Sequence, residues 1–493
     1  MRVTNKMMTN NMMSNINKNK INMSDLENQY STGKKIQKPS DDPIVAVRAL
    51  KLRTNLSEIS QYYDKNIPDA ESWFDVTESA LKNVNDILSQ MNTLCVQGAN
   101  DTLTAEDRES VLKNLVQLKE QIYQEGNSDY AGRYVFTGYK TNTSLVYGEV
   151  TKDTTYNIRE NFVASDIAHI TKIENTYTIN DYDANNPNAD NFSDSPNMVE
   201  NYRIQLAYNG LDGGGDIGFK YVDDAGVERD ITGITTMAST EVGNGQPGAD
   251  DVIYLHDTGE LLLGDNVYEE LKSATSIEVT YEKTNFNKGD LRPEHYFNCT
   301  ATNNDTGKIT EYTVSDQSIE YEINFGQTLK INTQAKDCIT HNIGRTIDDI
   351  YNAVNAVIAT EEQITEVNKK LESTTLTDGQ RAALTKLKEQ LGTELVLKKS
   401  VMQQSFETGN SATLAQQNTV NVATSDLGSR YVRLNLTKTR LSDQKVDFEE
   451  LMSNNEDADL VETIIKFSSA ETVYNSSLSA ASKVVQNTLL DFL

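Results

Sequence analysis

Three sets of residues in this sequence have types and spacings that could do chemistry. Gly213, Gly215 and Gly218 match GxGxxG, the pattern in which backbone N–H groups at a helix start cradle a pyrophosphate. That use needs a strand before the glycines and a helix after them. Phe219-Lys220-Tyr221-Val222 reads instead as a second strand, so a hairpin loop is expected here. Asp181, Asp183 and Asn185 have the spacing that opens a calcium loop, whose sixth residue is Gly and whose twelfth is a bidentate Glu. Asn186 and Phe192 stand at those places, and a solvated acidic loop is expected. The histidines His169, His256, His295 and His341 form neither an HExxH nor a close pair, which leaves zinc hydrolysis without a ligand set. His295, inside Pro-Glu-His-Tyr-Phe, is expected to be structural. No GxSxG elbow or P-loop occurs, and no pair of carboxylates is singled out by its spacing. The expectation is a chain with no catalytic residues, no metal ligands and no cofactor.

The cysteines agree. Cys95, Cys299 and Cys338 are odd in number and far apart, with no CxxC, so neither zinc nor thioredoxin-type chemistry is supported. A Cys299–Cys338 disulfide stays open. The formal net charge of −28 sets the chain against nucleic acid and anionic lipid as partners. Acidity of this kind keeps an exposed protein soluble, with cation binding as the sharper alternative. No stretch reaches the ~18 apolar residues of a membrane helix, so membrane insertion is not expected. Residues 1–20 are rich in Asn and Met and lack the apolar run and cleavage site of a secretory signal. That fits a cytoplasmic protein, and equally an export route that reads an uncleaved polar terminus.

The elements that must carry any function are helical at both ends. Steps of four and three mark a helix with one apolar seam. From the start the seam reads Met12, Ile16, Asn19, Met23, Leu26, Tyr30. At the far end it reads Leu460, Ile464, Phe467, Glu471, Tyr474, Leu478, Ala481, Val485, Thr488, Phe492. A helix with one face to bury is marginal alone in water. The two ends are therefore expected to pack against each other or against neighbouring subunits, with Met12, Ile16, Met23, Leu26, Tyr30, Leu460, Ile464, Phe467, Tyr474, Leu478, Ala481, Val485 and Phe492 as the packing residues. Further inward, Ser40 and Pro43 are read as a helix start, followed by Val45, Ala49, Leu52, Leu56, Ile59 and Tyr63, with an interruption at Pro68. Trp73 to Leu94 and Val111 to Ile122 continue the pattern. Ile347, Tyr351, Val354 and Ile358 resume it, and Leu427 to Met452 extend it. These inner seams fit an antiparallel bundle.

Between about Gly138 and Thr340 turn residues cluster and short β-rich runs lie between them: Arg203 to Tyr208, Phe219 to Val222, Asp251 to Leu255, Ser276 to Tyr281 and Ile319 to Phe325. The fold class is thus α+β, a helical bundle or coiled-coil rod built from both chain ends with a β-rich middle inserted. The expected division is 1–42 pairing with 457–493, then 43–140 with 341–456 as the helical rod, and 141–340 as the β-rich outer part.

Specific stretches resemble a known family. Met1-Arg2-Val3-Thr4-Asn5-Lys6-Met7-Met8 opens like the hook-associated protein 3 family, the hook–filament junction branch of the flagellin superfamily. Gln29-Tyr30-Ser31-Thr32-Gly33-Lys34-Lys35-Ile36, followed by Lys38-Pro39-Ser40-Asp41-Asp42-Pro43, is the most specific match, and Pro43-Ile44-Val45-Ala46 sets it apart from flagellin, where Ala-Gly commonly follows. Asn127 to Gly138 resembles the family's exit from the rod, and Leu478 to Leu493 its closing helix. The middle departs from the family. The resemblance implies an extracellular structural protein of the bacterial-type flagellum, exported unfolded by the type III apparatus without a cleaved signal peptide and guided by a flagellar export chaperone. Its implied partners are hook-associated protein 1, flagellin, and other copies of itself in a ring at the tip. A flagellin-type filament subunit, or a surface binding module carried by the β insert, remains the alternative.

Overall fold

The computed structural model describes residues 5–100, 103–215, 217–240 and 246–490. The helices are α1 (Asn5–Thr32), α2 (Pro43–Gln61), α3 (Ile67–Gly98), α4 (Ala105–Glu125), α5 (Asp265–Leu271), α6 (His341–Leu371), α7 (Asp378–Glu456) and α8 (Leu460–Leu490). The chain is α+β, with long helices toward both ends and the strands in the middle. It divides into two compact units: Met1–Asp69 with Tyr321–Leu329 and Val432–Leu493, and Ala70–Glu320 with Lys330–Tyr431.

In the first unit the start of α2 is fixed by two adjacent acids. Asp41 accepts backbone hydrogen bonds from Gln37 and Lys38 at 3.1 and 2.9 Å, which ties the loop. Asp42, not Ser40, is the N-cap: its carboxylate accepts from Ile44 N and Val45 N at 3.0 and 3.1 Å, and Pro43 takes the first helical position. The paired aspartates of the sequence motif thus have separate jobs. Asp42→Ala is expected to cost about 1 kcal/mol and to speed amide exchange in the first turn of α2, with equal exchange in both proteins as the contrary result. Pro68 does not break the chain's helical run. Its missing N–H and its ring are accommodated by a π-helical turn, Tyr62–Asn66, in which Ile67 N–H bonds Tyr62 O five residues back. The strands β14 (Glu320–Asn324) and β15 (Gln327–Lys330) form a hairpin whose tip carries Phe325, 82% exposed. It is held beside the π turn by Asn66 Nδ2 to Glu322 O at 2.8 Å and Tyr62 OH to Glu322 Oε1 at 3.2 Å.

The second unit joins helices to a β sandwich. Its helical core is drawn from α3 (Trp73, Leu81, Val84, Leu88), α4 (Leu112, Leu115), α6 (Ile347, Ile350, Val354) and α7 (Leu384, Phe406, Val420), all buried. On α6 the buried face is Ile343, Ile347, Ile350, Val354, Val357. Ile347 and Val354 of the expected seam lie on this face, while Tyr351 is half exposed and Ile358 only half-buried; the face follows i, i+3, i+4 spacing on β-branched residues. The Thr104–Asp107 capping box opens α4 as a helix start with acid in its first turn.

The strands are β1 (Asp129–Tyr130), β2 (Arg133–Tyr134), β3 (Thr154–Phe162), β4 (Ala168–Glu174), β5 (Asn197–Gln205), β6 (Gly218–Val222), β7 (Glu228–Asp230), β8 (Thr235–Met237), β9 (Val252–Leu255), β10 (Glu260–Leu263), β11 (Ser276–Lys283), β12 (Asn298–Asn303) and β13 (Ile309–Tyr312). One sheet has the order β13-β12-β3-β11-β6-β7 and the other β4-β5-β10-β9-β8. Alternation along β11, with Ile277, Val279 and Tyr281 buried, and along β3, with Tyr156 and Ile158 buried, supplies a core shared with Ile204, Leu261 and Phe286. Gly213–Gly215 lie between β5 and β6, which belong to different sheets. The glycine segment is therefore a crossing between sheets, not the expected hairpin loop, and a strand rather than a helix follows it.

Candidate assembly face of the terminal helices

The first unit brings the chain's two described ends together. Asn19 Nδ2 donates to Ser477 Oγ at 3.2 Å, while Lys34 bridges Asp457. A rising residue number on α1 meets a falling one on α8, so the helices run antiparallel along each other. On α1, Ile16 is buried, Met12, Met23 and Leu26 are half-buried, and Tyr30 is half exposed. On α8 the side facing α1 is Thr463, Phe467, Ala470, Tyr474, Ser477 and Ala481, again in steps of four and three. Small residues at 470, 477 and 481 let the two backbones approach.

Sequence spacing placed a seam one position away, and the two ladders share Phe467, Tyr474 and Ala481. The remaining members point elsewhere: Leu460, Ile464 and Leu478 are 48%, 46% and 42% exposed. Val485 lies in the helical backbone of α8, without a described side chain, and Phe492 lies outside the described residues. The helix thus carries an inner apolar face against α1 and an outer one, with Val461 and Ile465 beside it, in water. Sequence reasoning had no means to separate them, because α8 is apolar over more than one stripe. On α2, Ile44, Val47 and Leu50 are likewise exposed; their spacing on the side opposite Ala46 and Ala49 was the available clue.

The joint at the base of this helix pair escaped the sequence reading. Gly33, at φ +70°, ends α1 with its N–H on Gln29 O at 2.9 Å, a left-handed conformation that glycine adopts without strain. The chain then runs antiparallel to the break between α7 and α8: Lys35 N–H donates to Glu456 O at 2.6 Å and Ala458 N–H to Gly33 O at 2.8 Å. Glu456 is 2% exposed and takes Arg53 in a two-point grip, with Nε at 2.7 Å. Lys34 Nζ lies 3.5 Å from the same carboxylate and 2.5 Å from Asp457. The Arg53 hydrogen bond holds the Glu456 carboxyl below its usual range, and the Lys34 hydrogen bond does the same for Asp457. Lys34 and Arg53 are raised in turn, chiefly by hydrogen bonding to Asp457 and Glu456 respectively. The arrangement pins α1 and α2 to the α7–α8 turn.

The other residues with chemical potential have structural employment. Phe192, at the place where a calcium loop needs its glutamate, is 1% exposed and packs among Val367, Leu384, Leu387 and Leu391 at the α6–α7 turn; Gln390 Nε2 donates to its carbonyl at 2.9 Å. Asp181 accepts from Thr178 N–H and closes a local turn. Cys95, Cys299 and Cys338 are buried free thiols, so residues 299 and 338 are not bridged. Burial pushes the Cys95 thiol up to about 11 and Cys299 to about 12, which removes thiolate reactivity. His295 is buried with Nε2 3.2 Å from Ser144 O, and His341 is buried against Tyr208 and Tyr296; burial lowers them to about 4 and about 3. Among the described residues no group of three or more His, Cys, Asp or Glu could hold a metal ion, and no helix is long and apolar enough to cross a membrane.

Comparison with known proteins places the helical beginning of the chain. The family described as bacterial flagellin N-terminal helical region matches residues 3–141. The flagellar hook-associated protein 3 of Salmonella typhimurium is 34% identical over 142 residues, which are 29% of this chain and 44% of that protein. The flagellin of Clostridium tyrobutyricum is 31% identical over 128 residues, 26% of this chain and 34% of its own length. The match thus spans less than half of either relative. The solved hook-associated protein 3 of Legionella pneumophila aligns over 82% of this chain and 97% of its own at 12% identity and a TM-score of 0.29, too low to carry an argument. Residues 3–141 thus match the family described as bacterial flagellin N-terminal helical region, and over that stretch the chain is similar to hook-associated protein 3.

Proposed function

We propose that this chain is a structural protein of the bacterial flagellum, placed at the junction where hook-associated protein 1 meets the first flagellins, and that it has no catalytic role. The observation that carries the reading is the helical beginning of the chain. Its family is that of the flagellin N-terminus, and its relatives include hook-associated protein 3 at 34% identity. The motif Lys38 to Ala46 favours the junction branch over flagellin. The outer apolar faces of α8 and α2 support the assembly role: they are exposed in one chain and would be covered by neighbouring copies, hook-associated protein 1 or flagellin. Before assembly such faces need a chaperone. In this reading 1–42 with 457–493 forms the assembly core, 43–140 with 341–456 the rod, and 141–340 the part that projects.

A second reading, a filament subunit, is favoured by the 31% identity to a flagellin. Two experiments part them. In cells lacking the protein, hooks should persist while flagellin is lost to the medium, and the purified chain should stay monomeric. Growth of the purified chain into long filaments would refute the junction reading, and loss of the hook itself would refute both.

A further inference from the structure

Two exposed stripes in the first unit are both apolar and carry opposite charge. On α2, Ile44, Val47 and Leu50 lie on the side turned from the buried Ala46 and Ala49. Arg48 and Lys51 stand exposed among them, and among the described residues neither makes an ion pair. On the last part of α7, Val432, Leu436 and Val446 lie on the side turned from the buried Leu434, Thr437 and Leu441. Thr439, Asp443 and Glu450 continue that stripe in steps of four and three, and Asp447 flanks it. Asp443, Asp447 and Glu450 are exposed and likewise without an ion pair among the described residues. The apolar members of the two stripes are 58–73% exposed, and they form rows rather than scattered single residues.

The stripes look to opposite sides of one helix pair. α2 and α7 run antiparallel. Lys445 Nζ donates to Asp64 at 2.9 Å, and further along Asn455 Nδ2 donates to Val45 O at 3.2 Å beside the Arg53–Glu456 pair. At 3.6 residues per turn, Lys445, Asn455 and Glu456 point from α7 toward α2, while Val432, Leu436, Asp443 and Val446 point away. The α2 stripe is turned from α7 in the same way. Such a pair fits a copy of itself set beside it, and does not fit one related by a two-fold axis. A two-fold contact would set Arg48 and Lys51 against the same cations, or Asp443, Asp447 and Glu450 against the same acids.

We propose that in the assembled flagellum the α2 stripe of each copy docks on the α7 stripe of the next copy, apolar on apolar and cation on acid. This rests on the flagellar reading and names the neighbour that covers α2. Copies rotated about an axis along their helices keep α2 and α7 antiparallel across the contact. Setting Val47 on Val446 then brings Lys51 to Asp443 and Arg48 to Asp447, and leaves Glu58 near Leu436, one turn from Arg433. One helix face on another is a smaller contact than a stable dimer needs, so copies join only where a flagellar tip holds them side by side.

The test is cross-linking in isolated flagella whose chain carries Val47→Cys and Val446→Cys together. A short bismaleimide should give a ladder of dimers and higher multiples, because each copy offers one thiol to each neighbour. Either substitution alone should give no ladder, since Cys95, Cys299 and Cys338 are buried. Charge reversal supplies a second readout. Arg48→Glu with Lys51→Glu should abolish motility at an unchanged thermal midpoint, and adding Asp443→Lys and Asp447→Lys to that chain should restore it. Four results would overturn the contact and leave the flagellar reading standing: no ladder from flagella that contain the chain, a ladder from one cysteine alone, normal motility of the Arg48 and Lys51 reversal, or no recovery on adding the second reversal. A chain absent from isolated flagella would sink that reading and this inference with it.

Discussion

Glutamate at both Ile464 and Leu478 is expected to leave the isolated chain as stable as the parent and to abolish its incorporation into a flagellum. The two positions lie fourteen residues apart on one stripe of α8, which includes Leu460 and is turned away from α1. They are 46% and 42% exposed, so in the free chain a charge there stays in contact with water and costs little. Glutamate is also a good helix former. In an assembled tip the same stripe would be covered. Full burial of a Leu or Ile side chain contributes about 1.5–3 kcal/mol, and an unpaired buried carboxylate costs several kcal/mol more. The penalty recurs at every subunit. The expected readout is an unchanged thermal midpoint together with non-motile cells and flagellin in the medium. Motile cells carrying the double variant would place the assembly contact elsewhere.

How far this face was legible shows what periodicity can and cannot give. Steps of four and three at Met12, Ile16, Met23 and Leu26 locate the buried side of α1 because α1 is apolar on that side and rich in Asn and Lys around it. On α8 the same rule met Leu460, Val461, Ile464, Ile465, Val473 and Leu478 on several sides at once, and it selected large residues. The side that meets α1 is instead the one with Thr463, Ala470 and Ser477, because close helix approach favours small side chains. The joint was illegible for another reason. Glu456 and Arg53 are 403 residues apart, and nothing local to either marks a buried ion pair. The paired aspartates were visible as a motif, but their division of labour depends on loop backbone geometry. In the middle, runs such as Ser276 to Tyr281 declared themselves by alternation. The assignment of β5 and β6 to different sheets did not, since strand order is set by contacts distant in sequence.

The second large effect concerns a buried acid that the assembly reading does not use. Glu160, on β3, is 8% exposed; it accepts from Ala207 N–H at 3.1 Å and from Tyr281 OH at 3.0 Å. Burial raises its carboxyl from 4.5 to about 7, against the opposing pull of those hydrogen bonds and of Arg345. A raised carboxyl means that the folded chain holds a proton which the unfolded chain has already released between about pH 4.5 and 7. Stability contributed by this group therefore falls as pH rises through that window, and the full penalty is present above about pH 7. A displacement of this size corresponds to at most about 3 kcal/mol. His295 and His341 act in the opposite sense. Buried neutral, they hold fewer protons folded than unfolded below about pH 6.5, so their contribution rises with pH and masks the Glu160 slope in the parent protein. The difference between parent and Glu160→Gln removes the shared histidine term. Glutamine keeps an oxygen that can accept from Ala207 and Tyr281 but has no proton to lose. Followed by fluorescence of the single tryptophan, Trp73, which is buried in the same unit, denaturant unfolding of Glu160→Gln should match the parent near pH 4, below the pH at which the unfolded carboxyl ionises. The variant should then become progressively more stable than the parent up to pH 8, by an amount between about 1 and 3 kcal/mol. Two profiles that stay parallel from pH 5 to pH 8 would show that Glu160 is ionised in the folded chain throughout, held by Arg345 and its hydrogen bonds rather than neutralised by burial.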